Sequence, residues 1–204
     1  MNANALRFPL AQLREPGPVA SPRTRAHRPR LWLDTSAGDL VRERIEGGLH
    51  LLLLTAQRRG ELIELDFPAH RAEVCDEHEG LANALGCLPR WVGKSEFDYL
   101  VEIGSEEILR QLDPDFRALR ALPVRGIIVT ARSTLPEFDF VSRFFAPAAG
   151  IDEYPVTGSA HCALGPFWEA WLGRSDLLAF QASARGGWCA WACAATACCS
   201  VARP

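Results

Sequence analysis

Some features are scarce or absent in this sequence, and each absence excludes a class of protein. Lysine is almost missing, since 22 residues are Lys or Arg and only Lys94 is a lysine. This preference for Arg is typical of a GC-rich coding sequence. The formal net charge is −3, which argues against nucleic acid as a dedicated partner. No apolar run approaches the ~20 residues of a membrane-spanning helix, so we expect no membrane association.

Signals for export and for several common activities are absent as well. Residues 1–30 are rich in Arg and Pro where a secretory signal peptide would have its apolar stretch. The sequence has no Gly-rich phosphate loop, His-Glu-x-x-His pair or Gly-x-Ser-x-Gly elbow. Nucleotide hydrolysis and zinc peptidase chemistry therefore lack their usual signatures. We expect a cytoplasmic protein without those activities.

The seven cysteines are too unevenly placed for a disulfide framework. Cys162 follows a Gly-Ser turn, but no neighbour in the sequence is placed to activate it, and we interpret it as a buried packing residue. The cysteines near the C-terminus lack the paired Cys-x2-Cys spacing of structural zinc sites, so we predict no metal site. These are Cys189, Cys193, Cys198 and Cys199.

Apolar patterns punctuated by Gly and Pro predict strands and helices in irregular order. In the first part of the chain we predict strands at 39–45, 49–55 and 61–67 and a helix at 71–86. A second unit starts near Phe97 and includes a helix capped by Ser105. The absence of a strict strand-helix-strand rhythm indicates the α+β class. The second unit has predicted strands at 99–103, 126–131, 138–145 and 177–183, and predicted helices at 105–112, 113–122 and 159–172.

The segment with the clearest chemical potential is Pro155-Val-Thr-Gly-Ser-Ala-His-Cys162. A Thr-Gly-Ser turn at the start of a helix leaves backbone N–H groups unpaired and adds two hydroxyls, which suits a carboxylate or another oxyanion. Gly158 permits close approach of a ligand to the backbone, and Ser159 is the expected N-cap. Two interpretations stay open: the turn binds an anion, or Ser159 only caps the helix.

Six segments resemble, in order, the C-terminal half of the PhzF-type phenazine-biosynthesis isomerase family. The resemblance covers roughly residues 31–187 and is strongest after Phe97. Together the segments make a specific match. They are DYLVE (98–102), GIIVTA (126–131), DFVSRFFAP (139–147), GI (150–151), PVTGSAHC (155–162) and QASARGG (181–187).

The resemblance implies a diaminopimelate-epimerase-like α+β fold, in which two similar lobes, each a sheet wrapped around a central helix, close on a substrate. It divides the chain into a remnant of the first lobe at 31–96 and a second lobe at 97–187 that carries the Thr-Gly-Ser anion site. It also implies a homodimer and proton transfer on a small carboxylated metabolite without a cofactor. Such chemistry needs a desolvated carboxyl poised between acid and base.

Carried over to this chain, the resemblance places Gly158 and Ser159 at the family's Gly-Ser pair, with Thr157 beside them as a further substrate-binding residue. The family has an assisting Asp where this chain has Tyr154, a phenol. Ser159 and Tyr154 are therefore the candidate catalytic residues. The resemblance also implies a catalytic Glu from the first lobe, which should lie upstream of Leu31, and no recognisable version is found there.

The first lobe is incomplete by this interpretation, and two functions from different classes follow. The chain is an isomerase, or it is a catalytically inactive remnant that at most binds a ligand or partner. Two further residues keep two interpretations each. His161 matches a family position or is simply buried and hydrogen-bonded. Arg143 either binds a substrate carboxylate or faces solvent.

Both ends of the chain look unlike the family. Residues 1–30 combine Arg, Pro and Ala without apolar periodicity, so we expect a disordered arm or an out-of-frame translation. Residues 188–204 stand where the family has a strand pair. Back-translated with GC-rich codons and started one base earlier, the same bases encode alternating apolar residues around an Arg-Gly-Asp turn, a hairpin pattern. We interpret this tail as out of frame, a hypothesis that the nucleotide sequence tests.

Overall fold

A computed structural model describes residues 3–9, 32–33, 41–43, 52–59, 62–194 and 197–198 of the chain, with side chains over 69–191. These residues form fourteen strands, four α-helices and one short 3-10 helix. The strands are β1 (Ala3–Pro9), β2 (Trp32–Leu33), β3 (Val41–Glu43), β4 (Leu52–Arg59), β5 (Leu62–Pro68), β6 (Glu73–Val74), β7 (Trp91–Lys94), β8 (Asp98–Glu102), β9 (Gly126–Arg132), β10 (Phe140–Ala146), β11 (Ile151–Glu153), β12 (Asp176–Gln181), β13 (Gly187–Ala194) and β14 (Ala197–Cys198). The helices are α1 (Leu81–Leu85), α2 (Glu106–Gln111), α3 (Phe116–Arg120) and α4 (Gly158–Leu172), and the 3-10 helix is Pro147–Ala149.

The strands pair into one mixed sheet. Its order is β2-β3-β4-β5-β1-β14-β13-β12-β10-β9-β8-β7-β6, with β11 added to β10 and a further pairing between β1 and β13. Most neighbours are antiparallel, whereas β8 with β9, β10 with β12 and β1 with β14 are parallel. This mixed sheet with few helices confirms the α+β class predicted from the sequence.

The two faces of the central strands support two core clusters, because successive side chains of a strand point to opposite sides. Leu100 and Ile128 lie in the cluster that surrounds α4. Val101 and Val129, one residue further along β8 and β9, lie in the cluster formed with α1, α2 and α3. The apolar residues at the centres of β8 and β9 are thus buried on both faces, which explains why they form continuous apolar runs rather than alternating with polar residues.

Helix α4 is enclosed rather than laid on a surface. Six consecutive residues, 160–165, are buried, whereas a helix on the outside of a sheet would bury only one stripe. The ring of Trp168 stacks on Phe140 with 5.4 Å between ring centroids, and its Nε1 donates to Thr130 Oγ1 at 2.9 Å. A Cβ atom at Gly165 would lie 2.2 Å from the ring of Trp191. The helix and β13 therefore approach so closely that only glycine fits there.

The helix predicted at 71–86 is mostly wrong. Residues Glu73–Val74 form β6, which pairs with β7, and only Leu81–Leu85 is helical. Gly80 and Gly86 bound this short helix with φ of 92° and 72°. Sheet pairing at the start of the segment and two left-handed glycines leave room for little more than one helical turn.

The two ends of the chain take part in the sheet. Ala3–Pro9, expected to belong to a disordered arm, is a strand that pairs along its whole length with β5, because distant pairing supplies hydrogen bonds that local periodicity does not reveal. At the other end, Gly187–Ala194 pairs with β12, and Cys189 and Trp191 are buried. The residues as written therefore form a strand up to Ala194. The out-of-frame origin of either end stays a prediction, since it concerns the bases rather than the fold.

No helix in the described ranges is both long and apolar enough to cross a membrane.

Candidate active site

The candidate anion site lies where α4 begins. The helix starts at Gly158, and its N-cap is Thr157, with extended dihedral angles of φ −134° and ψ 104°. The prediction that Ser159 is the N-cap is therefore wrong, because Ser159 already lies in the first helical turn. No side chain caps this end, so the first N–H groups of α4 have no partner inside the helix or from the N-cap hydroxyl.

A buried glutamine at the end of β12 organises this helix start. Gln181 is 1% exposed, and its Oε1 accepts from the Thr157 N–H at 2.8 Å. Its Nε2 donates to the Tyr154 carbonyl at 2.8 Å and to Thr157 Oγ1 at 3.2 Å. Sequence reasoning gave Gln181 no role, although Gln181 begins the QASARGG segment that carries part of the resemblance and is a polar residue that ends an apolar strand.

Two further side chains fix the loop that precedes α4. Ser183 Oγ donates to the Pro155 carbonyl at 2.6 Å. On the upstream side, the guanidinium of Arg143 forms a bidentate pair with Glu153, at 2.7 and 2.9 Å. The loop between Glu153 and Gly158 is therefore held at both of its ends by side chains from β10 and from the end of β12.

Arg143 takes neither of the two roles considered from the sequence. Besides pairing with Glu153, its Nη1 donates to the carbonyls of Leu109 and Leu112 at 3.3 and 2.6 Å. These carbonyls belong to the C-terminal end of α2, where a cation is favoured by the helix dipole. The side chain is only 12% exposed, so Arg143 links α2, β10 and β11 and is already engaged.

Tyr154 is the first residue of this loop, at the position that the resemblance assigns to an assisting acid. Its N–H donates to the Phe144 carbonyl at 3.0 Å, and its ring lies 5.6 Å from that of Phe144. The side chain is half-buried and packs against the cluster around α4. Its backbone carbonyl, bound by Gln181, connects the residue to the helix start.

His161 is a buried, hydrogen-bonded residue of the first turns of α4. It is 0% exposed, and its Nδ1 lies 2.8 Å from the Thr157 carbonyl. A carbonyl can only accept, so Nδ1 carries the proton. Burial lowers the pKa of His161 to about 4, and the side chain is neutral at neutral pH. Its Nε2 has no hydrogen-bond partner among the described residues.

Cys162 is 1% exposed and lies in the core cluster around α4, which confirms its interpretation as a packing residue. Over the part of the chain that the structure describes, no three His, Cys, Asp or Glu side chains come together in a way that could hold a metal ion. The side chains of Cys193, Cys198 and Cys199 lie outside that part.

The remaining predicted residues are adjacent at the N-terminus of α4. They are Thr157, Gly158 and Ser159. Thr157 is buried, whereas Gly158 and Ser159 are partly exposed. The N-terminus of a helix carries a partial positive charge and N–H groups that point outward. N–H groups and hydroxyls at a helix start are the kinds of donor that bind oxyanions in proteins.

Comparison with known proteins places this geometry in a family. Residues 19–192 match the model of the PhzC-PhzF family, described as "Phenazine biosynthesis-like protein". An "uncharacterized isomerase" of Halalkalibacterium halodurans is 52% identical over 136 residues, which are 66% of this chain and 51% of that protein. One from Pseudomonas aeruginosa is 51% identical over 138 residues, 67% of this chain and 52% of the relative.

Solved structures agree with the sequence comparison. The phenazine biosynthesis protein of the PhzF family from Enterococcus faecalis superposes with a TM-score of 0.67 at 34% identity, covering 72% of this chain and 55% of that one. A putative PhzC/PhzF protein from Clostridium difficile gives a TM-score of 0.65 at 35% identity, over 72% of this chain and 56% of that one.

The fold and family predicted from the sequence are thus confirmed, although the chain spans about half the length of the curated relatives it matches. The segments that carry the resemblance include the loop before α4 and the Gly-Ser pair at its start. This protein belongs to the PhzC-PhzF family of phenazine biosynthesis-like proteins, an isomerase-like family.

Proposed function

We propose that this chain supports proton transfer on a small carboxylated metabolite, without a cofactor. The observation that carries the proposal is the start of α4, which has no side-chain cap and is braced by Gln181. The family match covers residues 19–192, which contain this helix start, and the chain is similar to relatives named isomerases. A braced and uncapped helix start offers fixed N–H donors to a carboxylate.

In this proposal the N–H groups of Gly158 and Ser159 hold the substrate carboxylate, and the Ser159 hydroxyl adds a hydrogen bond. A base removes a proton from one carbon, and the electron pair of that C–H bond forms a new carbon–carbon double bond. The neighbouring double bond opens, and its electron pair takes up a proton at the far carbon. No atom is gained or lost, so the reaction needs neither oxidant nor reductant. Tyr154 stands where an acid would assist this transfer.

The test is an isomerisation assay in D2O, followed by NMR. The probe is dihydro-hydroxyanthranilate, the carboxylated substrate that the family resemblance implies for the phenazine enzyme. We expect product with deuterium at the carbon that receives the proton, and loss of turnover in Ser159→Ala. The control is Ser175→Ala, which makes the same change just beyond the other end of α4 and should leave the rate unaltered. Binding without deuterium incorporation would contradict the isomerase and support a ligand-binding protein.

Replacing Tyr154 by Asp should raise the rate of isomerisation, whereas Ser159→Ala should lower it. Tyr154→Asp restores a carboxyl at the position of the assisting acid, and we expect the rate to rise by ~10²-fold, the lower range for one acid–base group. The measurement is kcat in the same assay. An unchanged kcat in Tyr154→Asp would remove this position from the proposed mechanism.

We also propose that the active form is a homodimer, as the family resemblance implies. Light scattering coupled to gel filtration should give twice the mass of one chain. A mass of one chain at assay concentrations would overturn this part of the proposal.

A further inference from the structure

The side-chain amide of Gln181 makes three hydrogen bonds, all to the loop before α4. The carbonyl oxygen accepts one hydrogen bond and the amino group donates two. All three partners lie within Tyr154 and Thr157, and the side chain is 1% exposed. A buried amide whose three bonds all converge on two residues fixes their positions strongly, because each unmade bond would leave a buried polar group unpaired.

These bonds change what Thr157 does. A threonine at the N-cap ordinarily turns its hydroxyl toward the N–H of the second or third helical residue and closes the first turn. Here Thr157 Oγ1 accepts from Gln181 Nε2, and no side-chain cap is formed. Thr157 therefore supplies no side-chain acceptor to the N–H groups of Ser159 and Ala160, and the Ser159 N–H is one of the two that we propose to hold the carboxylate.

The other two side chains that hold the loop, Ser183 and Arg143, do not change what the Thr157 hydroxyl binds. Ser183 binds the Pro155 carbonyl, and Arg143 binds the Glu153 carboxylate. Neither touches Thr157 in these bonds, so they orient the loop without acting on the N-cap. The control of the helix start is concentrated in Gln181, which comes from a strand 24 residues further along the chain.

We propose that Gln181 is the positioning residue of the anion site: it holds Thr157 away from its capping role and so keeps the first N–H groups of α4 open to a carboxylate. This inference rests on the proposed function of the same site. Gln181 does not itself touch the substrate. Its removal should weaken anion binding beyond any change in the stability of the fold.

The test uses inorganic sulfate as the probe and the full chain labelled with 15N. Sulfate keeps its charge between about pH 5 and about pH 7.5, and binding is followed through the amide signals of Gly158 and Ser159. In Gln181→Glu, an ionised carboxylate still accepts from the Thr157 N–H but cannot donate to Tyr154 or Thr157. At about pH 7.5 we expect sulfate to bind about tenfold more weakly, the effect of roughly one lost hydrogen bond.

Acidification supplies a readout that a merely structural role would not give. Once the new carboxyl group of Gln181→Glu is protonated, it regains a donor, so sulfate binding should recover in part at about pH 5, well before the wild type changes. The described titratable groups on the loop and the elements around it are Tyr154 on the loop, His161, Cys162 and Glu169 on α4, Arg143 on β10, Asp152 and Glu153 on β11, Asp176 on β12 and Cys189 on β13. Wild-type titrations at both pH values account for these groups.

The matched control is Gln111→Glu, the same substitution at an exposed position of α2, which should bind sulfate like the wild type at both pH values. If Gln181→Glu does not fold, Gln181→Met replaces it, because methionine has a similar shape and no hydrogen bonds to offer. We then expect about tenfold weaker binding at both pH values, without recovery.

Three outcomes separate the proposals. Weakened binding in the Gln181 variants, with recovery of the Gln181→Glu variant on acidification, supports the positioning role. Binding equal to the wild type in a folded Gln181 variant overturns that role and leaves the anion site intact. If the wild type shows no sulfate response at Gly158 and Ser159, the anion site itself is wrong, and the positioning role is overturned with it.

Discussion

Three helices of this protein begin in different ways. At the start of α2, Ser105 Oγ accepts from the Ile108 N–H at 3.3 Å. At the start of α3, Asp115 Oδ1 accepts from the N–H groups of Arg117 and Ala118 at 2.9 and 3.0 Å. At the start of α4, no side chain performs this task. A cap contributes about 1 kcal/mol, so α4 forgoes stability that α2 and α3 retain.

The charges in the first helical turn also distinguish α2 from α4. Helix α2 has Glu106 and Glu107 there, whereas α4 has no acidic residue in its first turn. Acidic side chains at this position neutralise the positive end of the helix dipole. The starts of α2 and α3 are thus closed by the protein's own groups, and the start of α4 is left positive. The five-residue α1, which follows Gly80, also lacks a cap from its N-cap residue. Among the longer helices α2 and α4, the comparison teaches that the uncapped start is the one at the candidate site.

The largest expected effect is a loss of stability at low pH that is caused by His161 on α4. The folded pKa of His161, about 4, lies below its ordinary value of 6.5, so the unfolded chain binds the proton more readily between these values. The free energy of unfolding should therefore fall as the pH falls through this window, by about 3 kcal/mol in total. Urea unfolding at both ends of the window measures it.

The control for this prediction is a second histidine. His161→Gln should abolish the loss of stability between about pH 6.5 and about pH 4, while His78→Gln should retain it. A wild-type protein with constant stability over this window would show that His161 is protonated as easily in the fold as in the unfolded chain.

The next effect concerns the closed start of α2. Glu106 is 4% exposed and accepts hydrogen bonds from Thr134 and Arg110. Burial alone would raise the pKa of Glu106, but these hydrogen bonds outweigh it and hold the pKa below its ordinary value of 4.5. Glu106→Gln should lower the free energy of unfolding at neutral pH by about 2 kcal/mol, the range for bonds to a charged group.

In the wild type this contribution is present above pH 4.5 and is lost as the pH falls through the lower folded pKa. Glu107→Gln, the exposed neighbour in the same turn, is the control and should change stability by less than about 0.5 kcal/mol. Equal losses from the two variants would show that the hydrogen bonds to Thr134 and Arg110 do not hold α2.

A smaller effect tests the difference in capping directly. Asp115→Ala should destabilise the protein by about 1 kcal/mol, because two N–H groups of α3 lose their acceptor. Ser159→Ala should cost less than about 0.5 kcal/mol and should instead weaken sulfate binding. Thermal unfolding of both variants measures the two losses of stability. A loss in Ser159→Ala as large as that in Asp115→Ala would identify Ser159 as a structural residue.

The smallest effect on stability comes from placing an acidic side chain in the first turn of α4, as in α2. Ser159→Glu puts an acid at the second helical position, where α2 has Glu107, and should stabilise the protein by about 0.5 kcal/mol at low ionic strength. The same variant should lose sulfate binding, since the carboxylate occupies the positive helix end. Sulfate binding that survives in Ser159→Glu would place the anion elsewhere.

Local patterns predicted much of the fold. The strands at β8, β9, β10 and β12 and the helices α2 and α4 lie within a few residues of their predicted positions, because apolar runs and turn residues determine them locally. The Ser105 cap was predicted for the same reason and is confirmed. The helix at 71–86 was not, since pairing with β7 holds Glu73–Val74 in a strand.

The candidate site was predicted only in outline. The segment 155–162 was identified, but Ser159 was expected to be the N-cap in place of Thr157. Arg143 was expected to bind a substrate carboxylate or to face solvent, whereas it binds Glu153 and the end of α2. Gln181 was missed as a site residue. Its segment QASARGG carries part of the family resemblance, but the partners of its side chain are distant in sequence.

The sequence by itself determined the α+β class, the family and the Thr-Gly-Ser segment at the head of a helix, since these depend on the order of residues and on contacts within a few positions. Only the tertiary structure decided that this helix start stays uncapped. Parallel pairing of β10 with β12 aligns Ser142 with Gln181 and brings the amide of Gln181 to Thr157. Contacts of that kind depend on sheet register, which no local pattern of residues specifies.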